Sequence, residues 1–474
     1  MEKKERELKK VLSRFDVLFM AIGAMLGWGW VVLSGNWVTS AGSFGSMTAF
    51  LIGGLLVIFV GLTYSELTSA MPEVGGEHVF VDRALGKKAS FIASWAITFG
   101  YASVVAFEAV ALPTVVEYLL PNYQAGYLWT LAGWDVYATW ALIGMIGAVI
   151  LTVINYIGLK PAALFQTVLT IVIVLIGVML IFGSFTGGDG ANLEPFFVGG
   201  TGGIMAVLIM VPFMFVGFDV IPQTAEETNL PHKEIGKILI VSVICTVIFY
   251  LSAVFAVSMA LDAETLRTSA LPTADAMAVL FGSDIFANIL ILGGIAGIIT
   301  SWNAFVIGGS RVLYAMAESG MLPSWFGKLH PKYKTPSNAI LFLGILAVLA
   351  PLLGRPALVW IVDAGGLGVV VAYFMVVLSF IVLRKKEPDM ARPFRAGKGP
   401  AVGWIALVLS FGFIVLYMPG MPAALVWPYE WLILAGWTLI GVYFFVRMSK
   451  GRYETREKAV KEGGVKTPVR HIDG

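Results

Sequence analysis

Gly23-Ala24-Met25-Leu26-Gly27-Trp28-Gly29 sits inside an apolar run that extends from residue 15 to residue 39. Each glycine in a helix interior costs about 1 kcal/mol relative to alanine. A helix interrupted in this way exposes main-chain N–H and C=O groups. Inside a bilayer that is tolerated only where the backbone is packed in protein or lines a cavity. The spacing therefore predicts an unwound patch at mid-depth, placed to meet a small dipolar solute with backbone atoms.

Apolar runs of similar length recur along all 474 residues, of which 58% are hydrophobic and 13% charged. A soluble domain carries about 25% charged residues, so the composition indicates repeated membrane spans. Twelve are predicted, at 15–39, 46–70, 90–119, 136–158, 161–185, 203–224, 236–260, 285–314, 337–353, 358–383, 401–418 and 429–448. Lys and Arg set the orientation. Six lie in residues 1–14, fifteen in the connectors after even-numbered spans and eight toward the C-terminus, against only Arg267 and Arg355 after odd-numbered spans. Arg311 stands near a helix end. Both termini are thus expected on the cytoplasmic face of a multi-pass protein, in a bacterial or archaeal plasma membrane.

Several function classes lose support. The charged start, Met1-Glu2-Lys3-Lys4-Glu5-Arg6, runs into the first span without a cleavage pattern for a signal peptide. Cys245, the only cysteine, allows no internal disulfide, and the four histidines have no metal-ligand spacing. No G-x-x-x-x-G-K-[ST] loop supports nucleotide-driven pumping. No nucleophile–base set or metal cluster at bilayer depth suggests an enzyme, no polar ring specifies a channel, and the tails are too short for a signalling domain. No cofactor is expected beyond a coupling proton or sodium ion, and no nucleic-acid partner.

Four patterns follow one another along the chain: the glycine patch; Tyr64-Ser65-Glu66-Leu67 with Pro72 and Gly75-Gly76-Glu77-His78; Phe215-Val216-Gly217-Phe218-Asp219 with Ala225-Glu226-Glu227-Thr228-Asn229-Leu230-Pro231; and Ser310-Arg311-Val312-Leu313-Tyr314-Ala315-Met316-Ala317 with Gly320-Met321-Leu322-Pro323. In this order the chain resembles an amino-acid permease of the amino acid–polyamine–organocation superfamily, from about residue 12 to 448. The resemblance implies an all-α fold of two inverted five-helix repeats, 15–185 and 203–384, then two extra helices within 401–448. Tails occupy 1–14 and 449–474. It implies secondary active import or exchange of amino acids. A cationic amine or polyamine permease is the alternative, with a non-transporting receptor behind it.

The same resemblance assigns the site. Backbone N–H groups of Gly27, Trp28 and Gly29 would hold a carboxylate, and carbonyls near Met25, Phe213 and Val216 an ammonium. Gly23, Ala24, Gly217 and Phe218 complete the two interrupted segments, the second flanked by Pro212 and Pro222. The family usually has a small hydroxyl residue at Trp28 and an aliphatic one at Trp30, so these indoles either wall the pocket or face the bundle.

Buried carboxylates are costly unless paired and tend to serve ion or substrate paths. By the same resemblance Asp219 would couple protonation to gating, with a structural pairing as the alternative. Glu108 either pairs with a cation or substrate ammonium, or stays buried and protonated. Thr300 and Ser301 offer a hydroxyl pair for sodium, or bond back to helix carbonyls. Some relatives have a lysine in the fifth span, where this chain has Ile173 or its neighbours. Glu66, Glu226, Glu227 and Arg311 are read as ion pairs closing the inner face, and Glu117 as facing water.

Overall fold

The computed structural model describes residues 10–120 and 122–461; the expected tail positions 1–9 and 462–474 lie outside the described residues. Among the described residues, ten helices are long and apolar enough to cross a membrane: α1 (Arg14–Val32), α2 (Ser43–Ala70), α3 (Lys87–Leu119), α4 (Ala138–Ile157), α5 (Leu159–Gly187), α6 (Gly200–Gln223), α7 (His232–Ala260), α8 (Asp284–Glu318), and, further on, α10 (Ala357–Lys386) and α12 (Tyr429–Met448). The two other predicted spans, 337–353 and 401–418, are shorter helices, α9 (Ser337–Leu353) and α11 (Ala401–Leu416). Pro351 ends the regular part of α9 at Leu349, leaving a 3-10 turn over Ala350–Leu353.

The chain is not purely helical. A hairpin of β1 (Tyr127–Leu131) and β2 (Trp134–Tyr137) follows α3, turning at Ala132-Gly133. A short helix, Pro272–Phe281, also absent from the sequence reading, precedes α8.

Burial separates interior from periphery. In their most apolar windows α1, α3 and α6 are 72%, 83% and 78% buried, whereas α12 is 6% buried while still apolar. Helices that are apolar all round suit either a protein interior or lipid, and here α12 presents its surface outward. Cys245 is likewise on an exposed face of α7.

α1 packs against α5, α7 and α8, and α6 touches α2, α8 and α10. Both central helices are broken. α1 is regular over Arg14–Met25, bends through Leu26, Gly27 and Trp28, and resumes at Gly29. α6 turns at Ile209-Met210 and again over Val216–Asp219. Gly217 has φ +136°, and a Cβ there would stand 2.8 Å from Ala24 Cβ and 2.9 Å from the Met25 nitrogen. Only glycine permits both that backbone angle and that approach. The two interruptions therefore meet.

One end of the bundle is tied by ion pairs and backbone bonds. Val11 and Leu12 donate to the Glu227 carbonyl, at 2.9 and 3.0 Å. Glu227 forms a two-pronged bridge to Arg311 (3.1 and 3.2 Å), both nearly fully buried. Glu66 receives Arg384 at 2.5 Å and Arg392 at 3.1 Å. Arg83 meets Glu387 at 2.6 Å. Glu117, expected in water, is only half-buried, and its Oε2 has no hydrogen-bond partner.

Candidate functional site

Where the breaks meet, the helices enclose a cavity of ≈ 20 Å³. That is room for about one water molecule. Ala24, Met25, Gly27 and Gly29 of α1, Phe213 and Met214 of α6, and Glu108 and Ser301 line it. Val104, Phe107, Tyr250 and Phe305 complete the wall, and these four escaped the sequence reading because aromatic and aliphatic residues on apolar helices carry no local signal. No basic side chain lines the cavity.

The polar groups of the α1 break are already engaged. The Trp28 amide points at Glu108 Oε1 at 3.5 Å, and a Cβ on Gly27 would collide with that same oxygen. The same Cβ would stand 2.9 Å from the Ser301 hydroxyl. The Glu108 Oε2 atom is buried without a partner. The Tyr250 hydroxyl donates to the Met25 carbonyl at 2.8 Å. So the protein's own carboxyl sits at the amide expected to hold a solute's carboxylate, and a hydroxyl holds one carbonyl expected to receive an ammonium.

Trp28 departs from one reading left open by the sequence. Its indole is fully buried away from the cavity and packs on α8, where a Cβ at Gly294 would overlap the ring. Trp30 also faces the bundle, meeting Phe249 edge-on at 5.2 Å. Phe218 lies outside the cavity wall, between Tyr64 (5.3 Å) and Tyr373 (5.4 Å). Val216 contributes the extended residue that ends the α6 helical turn, its N–H bonded to the Pro212 carbonyl.

Thr300 does not face the cavity. Its hydroxyl reaches the Gly23 and Gly297 carbonyls, 3.1 Å each. The second of these is the back-bond common for helical Thr. Gly23 also faces α5, where Thr170 and Gln166 stand against it. Gln166 reaches the Met20 carbonyl at 3.5 Å and receives the Asn303 amide at 3.0 Å, and Asn155 donates to Asn303 at 2.9 Å. The polar contribution of α5 to α1 thus comes from Gln166 and Thr170, not from Ile173, which is simply buried.

Asp219 Oδ1 accepts the Gly217 N–H at 2.7 Å, which fixes the α6 break. Its other oxygen is buried and unpartnered, as are the hydroxyls of Tyr64, Tyr101 and Tyr373. Glu77, quoted in the sequence only as part of a motif, is fully buried nearby and accepts from the Gln223 amide. Burial, followed by the charge of Asp219, raises the Glu77 carboxyl well above the usual range.

The amino acid permease family model matches residues 16–458. This chain belongs to that family. It is 28% identical to the branched-chain amino acid permease BcaP of Bacillus subtilis, over 87% of this chain and 90% of that protein. It is 27% identical to the methylthioribose transporter of the same organism, over 94% of each. It is 24% identical to the lysine-specific permease LysP of Escherichia coli, over 95% of this chain and 97% of LysP. The permease is accordingly a multi-pass membrane transporter of small amino-acid-type solutes, not an enzyme.

Proposed function

We propose that this permease is a proton-coupled secondary transporter of a small neutral amino acid with an apolar side chain. The observation that carries the proposal is Glu108 at the Trp28 amide, on the wall of the cavity between the two broken helices. An amino acid's carboxylate needs the N–H groups that Glu108 now occupies. Two carboxylates cannot share them in a low-dielectric site, so Glu108 must be neutralised as the substrate enters. A proton taken by Glu108 on the entry side travels with the substrate. On release, the carboxyl loses that proton and returns to the amide.

Apolar walls from Val104, Phe107, Phe213, Met214 and Phe305 favour an aliphatic side chain. The similarity to a branched-chain permease agrees. Because ≈ 20 Å³ holds no amino acid, the cavity must widen, and the helix breaks are where α1 and α6 bend at least cost. Asp219 acts below the site, where it holds the α6 break and links its motion to protonation. Twelve spans, two inverted repeats (15–185 and 203–384), a C-terminal pair (401–448) and cytoplasmic termini complete the proposal. The Lys/Arg distribution and the meeting of the two interruptions support it.

Sodium plays no part. The Thr300 hydroxyl bonds to carbonyls on α1 and α8, and the Asn155–Asn303–Gln166 amides brace the same junction. The test is accumulation of labelled leucine, isoleucine, valine and alanine in proteoliposomes. Uptake should follow an imposed proton gradient and be unchanged when choline replaces sodium. Uptake that requires sodium would overturn the coupling.

A second reading, a cationic amine permease, is favoured by Glu108 as a counter-ion in a cavity without a basic side chain. It predicts uptake of amines that lack a carboxylate, which the same panel, extended with polyamines, tests.

A further inference from the structure

A groove of ≈ 400 Å³ lies outside the site described above, between α3, α10 and α12. Phe91 and Trp95 of α3, Leu367 and Val371 of α10, and Trp437 and Phe445 of α12 form its main walls. The polar side chains on the wall are already engaged. Trp95 Nε1 donates to the Trp437 carbonyl at 3.0 Å, and Trp437 Nε1 donates to the Trp95 carbonyl at 3.1 Å. The Thr438 hydroxyl bonds back to the Leu434 carbonyl at 2.8 Å. A polar ligand would lose its hydration here and gain no partner, whereas a hydrocarbon chain leaves nothing unpaired.

The shape narrows the choice of occupant. On α12 the wall runs from Leu434 to Phe445, about 16 Å at 1.5 Å per residue. That is about half of a hydrocarbon core ≈ 30 Å thick, the depth of one leaflet. Spread over this length, ≈ 400 Å³ leaves a cross-section of about 25 Å², too narrow for an α-helix 10–12 Å across. Ile92, Thr438 and Val442 along the groove are exposed, so it opens toward lipid.

One end is basic. Lys87 and Lys88 start α3, four and three residues before Phe91, and therefore share its helix face. Both are exposed, and no ion pair among the described residues involves either. Glu387, an acid at the same end, is taken up by Arg83 at 2.6 Å. The wall at the other end, Leu367 and Leu434, is apolar.

We infer that this groove binds one acyl chain of an anionic phospholipid, whose phosphate meets Lys87 and Lys88. Basic groups beside an apolar slot between membrane helices suit an acidic headgroup. Naming the leaflet as cytoplasmic rests on the orientation proposed above. Nothing in the inference rests on Glu108. A bound chain would brace α12, which otherwise presents most of its surface outward, against α3 and α10.

Native mass spectrometry of the full-length permease tests this, with phosphatidylglycerol and phosphatidylcholine of identical acyl chains added in turn. The parent should retain one phosphatidylglycerol about tenfold more tightly than phosphatidylcholine. Lys87→Glu with Lys88→Glu, on the surface, should hold the two lipids alike. Ala96→Phe fills the groove from α3 and Val442→Trp from α12, and each should lose the retained phosphatidylglycerol. Equal retention of both lipids by the parent overturns the inference, and so does undiminished phosphatidylglycerol on both filled variants. A parent dimer that Ala96→Phe disperses also overturns it, because a second copy then covers the groove. The readout involves no transport, so it stands apart from the fate of the Glu108 reading.

Discussion

Glu108 Oε1 lies 3.5 Å from the Trp28 amide nitrogen, across eighty residues of sequence. A side chain on α3 thereby satisfies the start of the helical turn that follows the α1 break. The positive end of a helix favours an anion at that position. The relationship explains why an acid is retained in an otherwise apolar wall.

Replacing Glu108 with Gln keeps a hydrogen-bonding side chain of similar size but cannot carry a proton. Accumulation against a gradient is expected to fall at least about tenfold, while exchange of labelled for unlabelled substrate persists. Counterflow and gradient-driven uptake in the same proteoliposomes separate the two.

Two glycines are limited by space for different reasons. In Gly27→Ala the new methyl meets the Glu108 carboxyl and stands 2.9 Å from Ser301 Oγ, so substrate affinity should drop with little change in folding. In Gly294→Ala it meets the Trp28 ring, and overpacking should cost ~1–3 kcal/mol of stability. Binding and thermal-melting measurements on both variants should show this crossed pattern.

The Arg311–Glu227 bridge is nearly fully buried, with each side chain at most 4% exposed. Arg311→Ala leaves a buried carboxylate without its partner and should cost roughly 3–5 kcal/mol. Arg311→Met with Glu227→Leu should recover most of that loss. A double-mutant cycle on the melting transition measures it.

His78 is held by Ser319 at 2.6 Å and Ser90 at 3.1 Å, and burial lowers its pKa from 6.5 to about 4. Above pH 6.5 the ring is neutral whether folded or unfolded, and its contribution is complete. As pH falls from 6.5 toward 4, the unfolded chain binds a proton that the folded one refuses, and stability declines by up to roughly 3 kcal/mol. Glu77 acts in the opposite sense, because its raised pKa favours the folded state at low pH and that benefit fades as pH rises above 4.5. The difference in melting temperature between the parent and His78→Gln, followed from pH 7 to 4, isolates the histidine.

The sequence revealed what glycine, proline and long-range hydropathy control. The α1 break follows from Gly27 and Gly29, and the α6 break from Pro212, Gly217 and Pro222. Helix ends such as Ala138–Ile157 and Ala401–Leu416 lie close to the predicted limits, because the change from apolar to polar composition is sharp. Contacts between distant segments were not legible. The direction of Trp28 depends on the absence of a side chain at Gly294, and no local pattern links those positions. The β1–β2 hairpin was missed because its exposed aromatic strands occupy a connector too short to show a period.

The most direct test is the proton count on binding. Purified permease in weakly buffered solution, mixed with saturating branched-chain amino acid near neutral pH, should take up about one proton per substrate bound as Glu108 yields the Trp28 amide. Glu108→Gln should bind without proton uptake. Binding that takes up no proton in the parent, or equal uptake in the parent and Glu108→Gln, would contradict the exchange of one carboxyl for another at the α1 break.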